Sequence, residues 1–274
     1  MSALVTLRSS LRARQRIGGV PVVISAAAHE PGAALVQLRS DEHVPSDFFV
    51  ALRSEMSARG CHRVRSNAIA ERFVDAAHRA GFEVAQRLVL LRRDMHGADH
   101  VANAFTPDDH RGAGRHGVDG RVECGVHGVI HSDEFTYRGP TPRSRLAIEQ
   151  CARVDAVSFA ESWSLDAAAL RDAATATPRH RFFVSRVDDT VVGFVLCGAD
   201  SRYGFIQRLA VDPTARNHGV ATSLLTVSLR WLSSPLIETT WVNTEPTNEA
   251  ALRLYARAGF HRHHEGLVVV EWNA

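Results

Sequence analysis

The hydrophobic patterning predicts a mixed α/β (α+β) fold: a mostly antiparallel central sheet flanked by helices, preceded by a smaller, partial copy of the same arrangement. Three observations predict it. The second half of the chain alternates its apolar periods in the order α, α, β, β, β, α, β, α, β. Within that half, residues 209–222 read as a strand, a short loop and the start of a helix whose first turn carries small residues. Residues 67–82 and 248–260 share one order (an asparagine, a helix with an aromatic, then Gly-Phe leading into a strand), which reads as an internal repeat.

In the first half, residues 20–24 and 33–38 have strand character, 47–59 a helical period, and 63–65 a short strand. A helix follows Asn67 and ends at Gly81-Phe82, and 84–91 is the next strand. Residues 94–142 differ in kind: they hold His96, His100, His110, His116, His127 and His131, many glycines, and Pro140 and Pro142. They read as a linker or long loop. The histidines and Cys124 match no tetrahedral ligand spacing, so polar loop histidines are expected and no metal. The expected organisation is therefore 1–93, a degenerate first domain; 94–142, a His/Gly-rich linker; and 143–274, the main domain.

The main domain opens with a helical face of Ala147, Cys151, Val154 and Ser158. A second helix spans 164–176 with Ser164 as its N-cap, and Pro178 closes it. Residues 181–187, the pair Asp188-Asp189, and 191–196 make a hairpin with a tight polar turn. Strand 203–211, helix 220–232 ended by Ser233-Ser234-Pro235, and strand 239–243 follow. Helix 248–258 places Ala251, Leu254, Tyr255 and Ala258 on one stripe, with Gly259 where a left-handed residue ends a helix. Residues 267–272 supply the last strand.

The 32 basic residues are all arginine and nearly balance 30 acids, giving a formal charge of +2. That balance argues against a nucleic-acid partner, and no apolar run approaches the ~18 residues of a membrane span. With no lysine, the chain offers no lysine of its own for acylation. Cys61, Cys124, Cys151 and Cys197 are scattered without a CxxC pair, as in a reducing compartment. Arg8, Arg12, Arg14 and Arg16 precede an apolar stretch at 20–28, but Gly18, Gly19 and Pro21 break it as a leader. A cytoplasmic location is expected, and the sequence leaves the oligomeric state open.

The segment Leu209-Ala210-Val211-Asp-Pro-Thr-Ala-Arg216-Asn217-His218-Gly219-Val220-Ala221-Thr222, with its partner Asn248 to Phe260, resembles the GNAT superfamily of acyl-CoA N-acyltransferases. The resemblance implies acetyl-CoA as co-substrate. Its pyrophosphate would take the backbone amides from Asn217 to Thr222 at the helix start, where Gly219 permits close approach and Arg216 adds charge. Leu209, Ala210 and Val211 would pair with the pantetheine arm as an added strand does, beside a neighbouring strand that splays away. Asn248 would face the coenzyme, or would simply cap its helix. Tyr255 matches the family tyrosine that protonates the leaving thiolate, against the alternative of a core aromatic.

The general base is open between Glu245 and a water that Asn243 orients. Gln207 and Arg208 cannot serve. Relatives that acetylate ribosomal-protein N-termini often carry a glutamate where Asn243 falls, which weakens a carry-over of their substrate. With no cysteine in either motif, direct transfer in a ternary complex is expected, the acceptor being a small-molecule amine or a protein N-terminus. The alternative is a non-catalytic acetyl-CoA-binding regulatory or scaffold protein. In the first half, the counterpart of the phosphate loop falls at 39–45, where Asp41 and Glu42 would repel an anion.

Overall fold

A computed structural model describes residues 13–26, 30–38, 44–95, 122–123, 129–139, 141–160 and 163–274. In chain order these form β1 (Ala13–Ile17), β2 (Val20–Ala26), β3 (Ala33–Leu38), α1 (Phe48–Ala58), β4 (Arg63–Ser66), β5 (Ile69–Ala70), a 3-10 turn (Glu71–Phe73), α2 (Val74–Arg79) and β6 (Glu83–Asp94). There follow β7 (Val122–Glu123), β8 (Val129–Phe135), α3 (Pro142–Ser158), α4 (Ala167–Ala174), β9 (Arg179–Val187), β10 (Thr190–Ala199) and β11 (Tyr203–Val211). A 3-10 turn (Pro213–Ala215), α5 (Val220–Leu232), β12 (Thr239–Thr244), α6 (Glu249–Arg257), β13 (His261–Arg262) and β14 (Leu267–Asn273) complete the chain.

The chain forms two compact units, neither of them contiguous. The first comprises residues 1–90, 243–247 and 263–274; the second comprises 91–242 and 248–262. Each takes in chain from the other half, so the last strand, β14, belongs to the first unit. Among the described residues, no helix is long and apolar enough to cross a membrane.

In the first unit the sheet runs β1-β2-β3-β4-β14-β6, with β3 and β4 parallel and the other pairs antiparallel. Strand β1 went unread in the sequence. Gly18 (φ 52°) and Gly19 (φ 80°) there form a two-residue hairpin turn that needs positive φ at both positions. One face of this sheet buries Phe48, Phe49, Leu52 and Met56 of α1 against Val22, Ile24, Val36, Val64, Val268 and Val270. Glu271 of β14 receives Arg63 at 3.0 Å and Arg65 at 2.8 Å, both on β4.

The second unit's sheet runs β12-β11-β10-β9-β8-β7, antiparallel except for the β11–β12 pair. Helices cover both faces, as the patterning predicts. Phe182, Val184, Phe194 and Leu196 face Ile148, Cys151, Val154 and Leu170 of α3 and α4. On the opposite face α5 comes down on Gly193, where a Cβ would meet Val220 Cγ1 at 2.8 Å. The predicted Asp188-Asp189 turn is present, with φ of 45° and 62°.

Several expectations need correction. The linker reading of 94–142 fails at its end, because β8 pairs with β9 along five residues from His131 to Phe135. Residues 96–121 and 124–128, with most of the histidines and Cys124, lie outside the described residues. The N-cap of α4 is Asp166, whose carboxylate accepts from Ala169 N at 2.7 Å, rather than Ser164. The helix after Asn67 is short, because β5 and a 3-10 turn take its first half.

Helices α2 and α6 end in one kind of cap, which α1 shares, with Cys61 N donating to Met56 O across Gly60 (φ 76°). Phe82 N donates to Ala77 O at 3.0 Å and Phe260 N donates to Tyr255 O at 2.9 Å, with Gly81 (φ 83°) and Gly259 (φ 79°) between. Both ends are the same left-handed cap. Counted back from the Gly-Phe that ends each helix, Ala77 of α2 falls at the position of Tyr255 in α6. The parallel ladders align as well: Ala33↔Arg63 begins one and Tyr203↔Thr239 the other, which sets Asn67 level with Asn243 rather than Asn248.

Candidate active site

The chemistry-bearing segment starts in β11. Its ladder with β12 joins Tyr203–Phe205 to Thr239–Trp241 and stops there; among the described residues Ile206 to Val211 have no β12 partner. On its other edge β11 stays paired with β10 through Val211↔Gly193. Leu209, Ala210 and Val211 thus lie on a strand paired with β10 on one side and, among the described residues, with no β12 partner on the other. That is the splay the resemblance implies. The β10–β11 register also slips between Leu196 and Cys197, leaving Gln207 as the extra residue of a bulge.

The chain then turns sharply. Asp212 accepts from Thr214 N at 3.0 Å and Thr214 Oγ1 at 2.7 Å, and those bonds hold its carboxyl below the usual carboxylate range. Arg216 is exposed and its Nε donates to Val211 O at 3.3 Å. Asn217 (φ 64°) and Gly219 (φ 77°) both adopt left-handed backbone, His218 lying between them half-buried. Gly219 is the N-cap of α5 and provides no capping side chain. The first-turn amides from Val220, Ala221 and Thr222 therefore lack the cap that a Ser or Asp would give, and no acid stands in that turn. Such an end suits an anion, by free N–H groups and by the helix dipole.

Asn248 caps α6, accepting from Ala251 N at 3.1 Å. Its side-chain oxygen thus has the structural task that the sequence left as one of two alternatives. Tyr255 lies on the buried side of α6 at 5 % exposure, edge-on to Phe260 with ring centroids 5.7 Å apart. Burial raises its phenol above the ordinary value, with Cys197 adding to the rise. Cys197, on β10, is itself pushed up to about 12 by burial, against a lowering hydrogen bond with Ser228. Buried Arg93 donates to Ala258 O at 2.6 Å and so ties off the carboxyl end of the helix that carries Tyr255.

Asn243 and Glu245 are both exposed and fall in the stretch grouped with the first unit. There Gln86 Nε2 donates to Glu245. Among the described residues no group of His, Cys, Asp and Glu could hold a metal ion. Residues 39–43, which carry most of the first half's counterpart of the phosphate loop, lie outside the described residues.

Sequence reasoning missed one buried pair. Arg208 donates to Asp155 through Nε at 2.6 Å and Nη2 at 2.8 Å, and Asp155 has no exposed surface. The available signal was an acid next to the apolar stripe of α3, together with an arginine inside a core strand.

A strand that parts from its parallel neighbour, followed by a glycine-capped helix start and a tyrosine-bearing helix, is the arrangement that the GNAT resemblance implies. Residues 148–260 match the Acetyltransferase (GNAT) family, so the second half of the chain carries a GNAT acetyltransferase domain. The chain is 33 % identical over 85 residues to N-alpha-acetyltransferase 30 of Homo sapiens, covering 29 % of this chain and 24 % of that protein. It is 32 % identical over 113 residues to the mycothiol acetyltransferase of Acidimicrobium ferrooxidans, covering 39 % and 36 % respectively. The chain thus spans well under two thirds of the length of these relatives. In fold it is similar to a tandem GNAT protein from the clavulanic acid biosynthesis pathway, with a TM-score of 0.62 at 12 % identity over 94 % of this chain and 81 % of that one.

Proposed function

We propose that the C-terminal domain, residues 143–274, is an acetyl-CoA-dependent N-acetyltransferase that moves the acetyl group to a primary amine by direct transfer in a ternary complex. The observation that carries this reading is the left-handed, uncapped start of α5 at Gly219, reached from a strand that, among the described residues, has no β12 partner at 206–211. The pyrophosphate takes the amides of 217–222, with Arg216 beside it, and the pantetheine arm runs along Leu209 to Val211. Asn248 contributes by fixing the start of α6.

In the reaction the amine lone pair attacks the thioester carbonyl carbon, and the carbonyl electrons move to oxygen. A strand amide such as that of Val211 stabilises the oxyanion. Collapse breaks the C–S bond, and Tyr255 supplies the proton to sulfur. Its raised pKa keeps the phenol protonated across the working range, although it makes the group a weaker acid than a free phenol. The proton lost by the ammonium goes to Glu245 or to a water that Asn243 orients, and Glu245→Gln and Asn243→Ala tell these apart. The first unit, with Ala77 in place of the tyrosine, is a degenerate copy without its own coenzyme site.

Release of free CoA from acetyl-CoA over a panel of peptide α-amines and small primary amines tests this. Wild type is expected to turn over at least one amine, with Tyr255→Phe slower by about 10²-fold or more. Equal rates in the two proteins would remove Tyr255 from the chemistry. Binding of acetyl-CoA without any release above that control would leave only a binding protein.

A further inference from the structure

The bulge at Gln207 has a consequence for the residues beside it. Regular alternation would send Gln207 and Arg208 to opposite faces of β11. Instead both reach the face covered by α3 and α4: Gln207 Nε2 donates to Ala173 O at 3.2 Å, while Arg208 meets Asp155 on α3. Beyond the two bonds to Asp155, Arg208 Nη2 donates to Trp163 O at 2.8 Å, and its guanidinium lies 3.5 Å from the centroid of the Phe159 ring. Asp155 Oδ1 also accepts from Leu165 N at 2.6 Å. One ion pair thus grips the α3–α4 connection at Phe159, Trp163 and Leu165. A second tie lies close by, where Ser158 Oγ donates to Val211 O at 3.1 Å.

We propose that Arg208 is a positioning residue: paired with Asp155, it holds Phe159, Trp163 and Leu165 of the α3–α4 connection beside β11, and those anchored residues shape the acceptor's side of the site. The inference rests on the acetyltransferase reading above. If the acetyl group lies at 209–211, an incoming amine must pass whatever is anchored to Arg208 and Val211, and that is this connection. A guanidinium fork is required. It makes two parallel bonds to one carboxylate, a third to a carbonyl, and a flat face on an aromatic ring, which a lysine ammonium cannot reproduce. Removing one partner strands a buried charge, whereas replacing both by apolar groups avoids that cost. The proposal therefore separates from a simple folding role.

The experiment uses the full chain as wild type, Arg208→Lys, and the double variant Arg208→Met with Asp155→Leu, which strands no charge. Three quantities are read: amide hydrogen exchange over residues 159–165, the dissociation constant for acetyl-CoA by direct titration, and steady-state constants with the amine from the panel that wild type uses best. Expected in both variants are exchange over 159–165 at least 10-fold faster, acetyl-CoA affinity within 3-fold of wild type, and an acceptor KM raised about 10-fold or more with a smaller change in kcat. Unchanged exchange over 159–165 overturns the proposal, since the pair would then not hold the connection. So does faster exchange with an unchanged acceptor KM, or loss of acetyl-CoA affinity in place of acceptor affinity. If wild type turns over no amine, the acetyltransferase reading fails along with the acceptor role, and the exchange arm shows by itself whether the grip exists.

Discussion

The side-chain amide of Asn67 pairs with both backbone groups of Leu38: Leu38 N donates to Oδ1 at 3.0 Å, and Nδ2 donates to Leu38 O at 3.4 Å. Asn67 N also donates to Val36 O at 2.9 Å. The asparagine extends the β3–β4 ladder past its last strand residue and closes, in the first unit, the kind of gap that stays open beyond Phe205 in the second. Asn67→Ala should cost about 1–3 kcal/mol, two hydrogen bonds at about 0.5–1.5 each. Asn67→Asp should cost at least as much, because a carboxylate oxygen would then face the Leu38 carbonyl. Urea unfolding measures both, and a variant of wild-type stability would show that the pairing contributes nothing.

Gly193 sets how closely α5 approaches the sheet. A Cβ there would meet Val220 Cγ1 at 2.8 Å, and Leu224 Cδ1 and Ala210 O at 3.3 Å each. Both contacting side chains are buried with little room to move, so Gly193→Ala should lose about 1–3 kcal/mol by overpacking. Because Val220 is the first residue of α5, acetyl-CoA should also bind more weakly. A thermal melt and a coenzyme titration on one preparation test the two effects, and a change in neither would mean that the helix start adjusts freely.

The buried thiol of Cys197 predicts a pH dependence. Burial pushes its pKa up to about 12, from an ordinary thiol value of 9.0. Between those values the unfolded chain gives up a proton that the folded chain keeps. The stabilisation is therefore complete below pH 9 and is lost as pH rises toward 12. Buried Cys151 and Tyr255 are raised as well and act in the same direction at alkaline pH. Each thiol contributes a slope of about 1.4 kcal/mol per pH unit in that window. Denaturant midpoints should fall from pH 9 to pH 11 in wild type, beyond any change between pH 8 and 9, and less steeply in Cys197→Ala; parallel slopes would contradict the assignment.

Val270 of β14 is fully buried in the first unit's core, beside strands from the other end of the chain. Val270→Asp should place an unpaired carboxylate there, at a cost of several kcal/mol. Amide exchange should then lose protection first over residues 20–38, more than two hundred positions away in sequence. Loss confined to 143–262 would instead assign β14 to the second unit.

What the sequence disclosed divides along the line between local and non-local physics. Strand β11, helix α5, the Asp188-Asp189 turn and the Gly259 cap were legible because their signals lie within a few residues: apolar period, a glycine at a cap, turn residues with positive φ. The free edge of β11 was expected from the resemblance, and the short β11–β12 ladder agrees with it. Strand β1 was hidden because Gly18 and Gly19, which make its hairpin, read equally well as breakers of an apolar leader. Strand β8 lay inside a histidine- and glycine-rich stretch with no apolar alternation. The partners of β14 could not be read locally, since an apolar strand gives no sign of which sheet it will join. The shared order of asparagine, helix and Gly-Phe matches Asn67 with Asn248, while the ladder register pairs it with Asn243. The Arg208–Asp155 pair joins residues 53 positions apart, and neither carries a motif.

On the acetyltransferase reading, the chain has a single acetyl-CoA site, at the start of α5. Isothermal titration of acetyl-CoA into wild type and into Gly219→Val tests it most directly. A valine at φ 77° strains the backbone and places methyl groups where the phosphates approach. Wild type should bind one acetyl-CoA per chain, and the variant should lose at least 10-fold in affinity while staying folded by circular dichroism. Two equivalents per chain, or undiminished affinity in the folded variant, would contradict a site at Gly219.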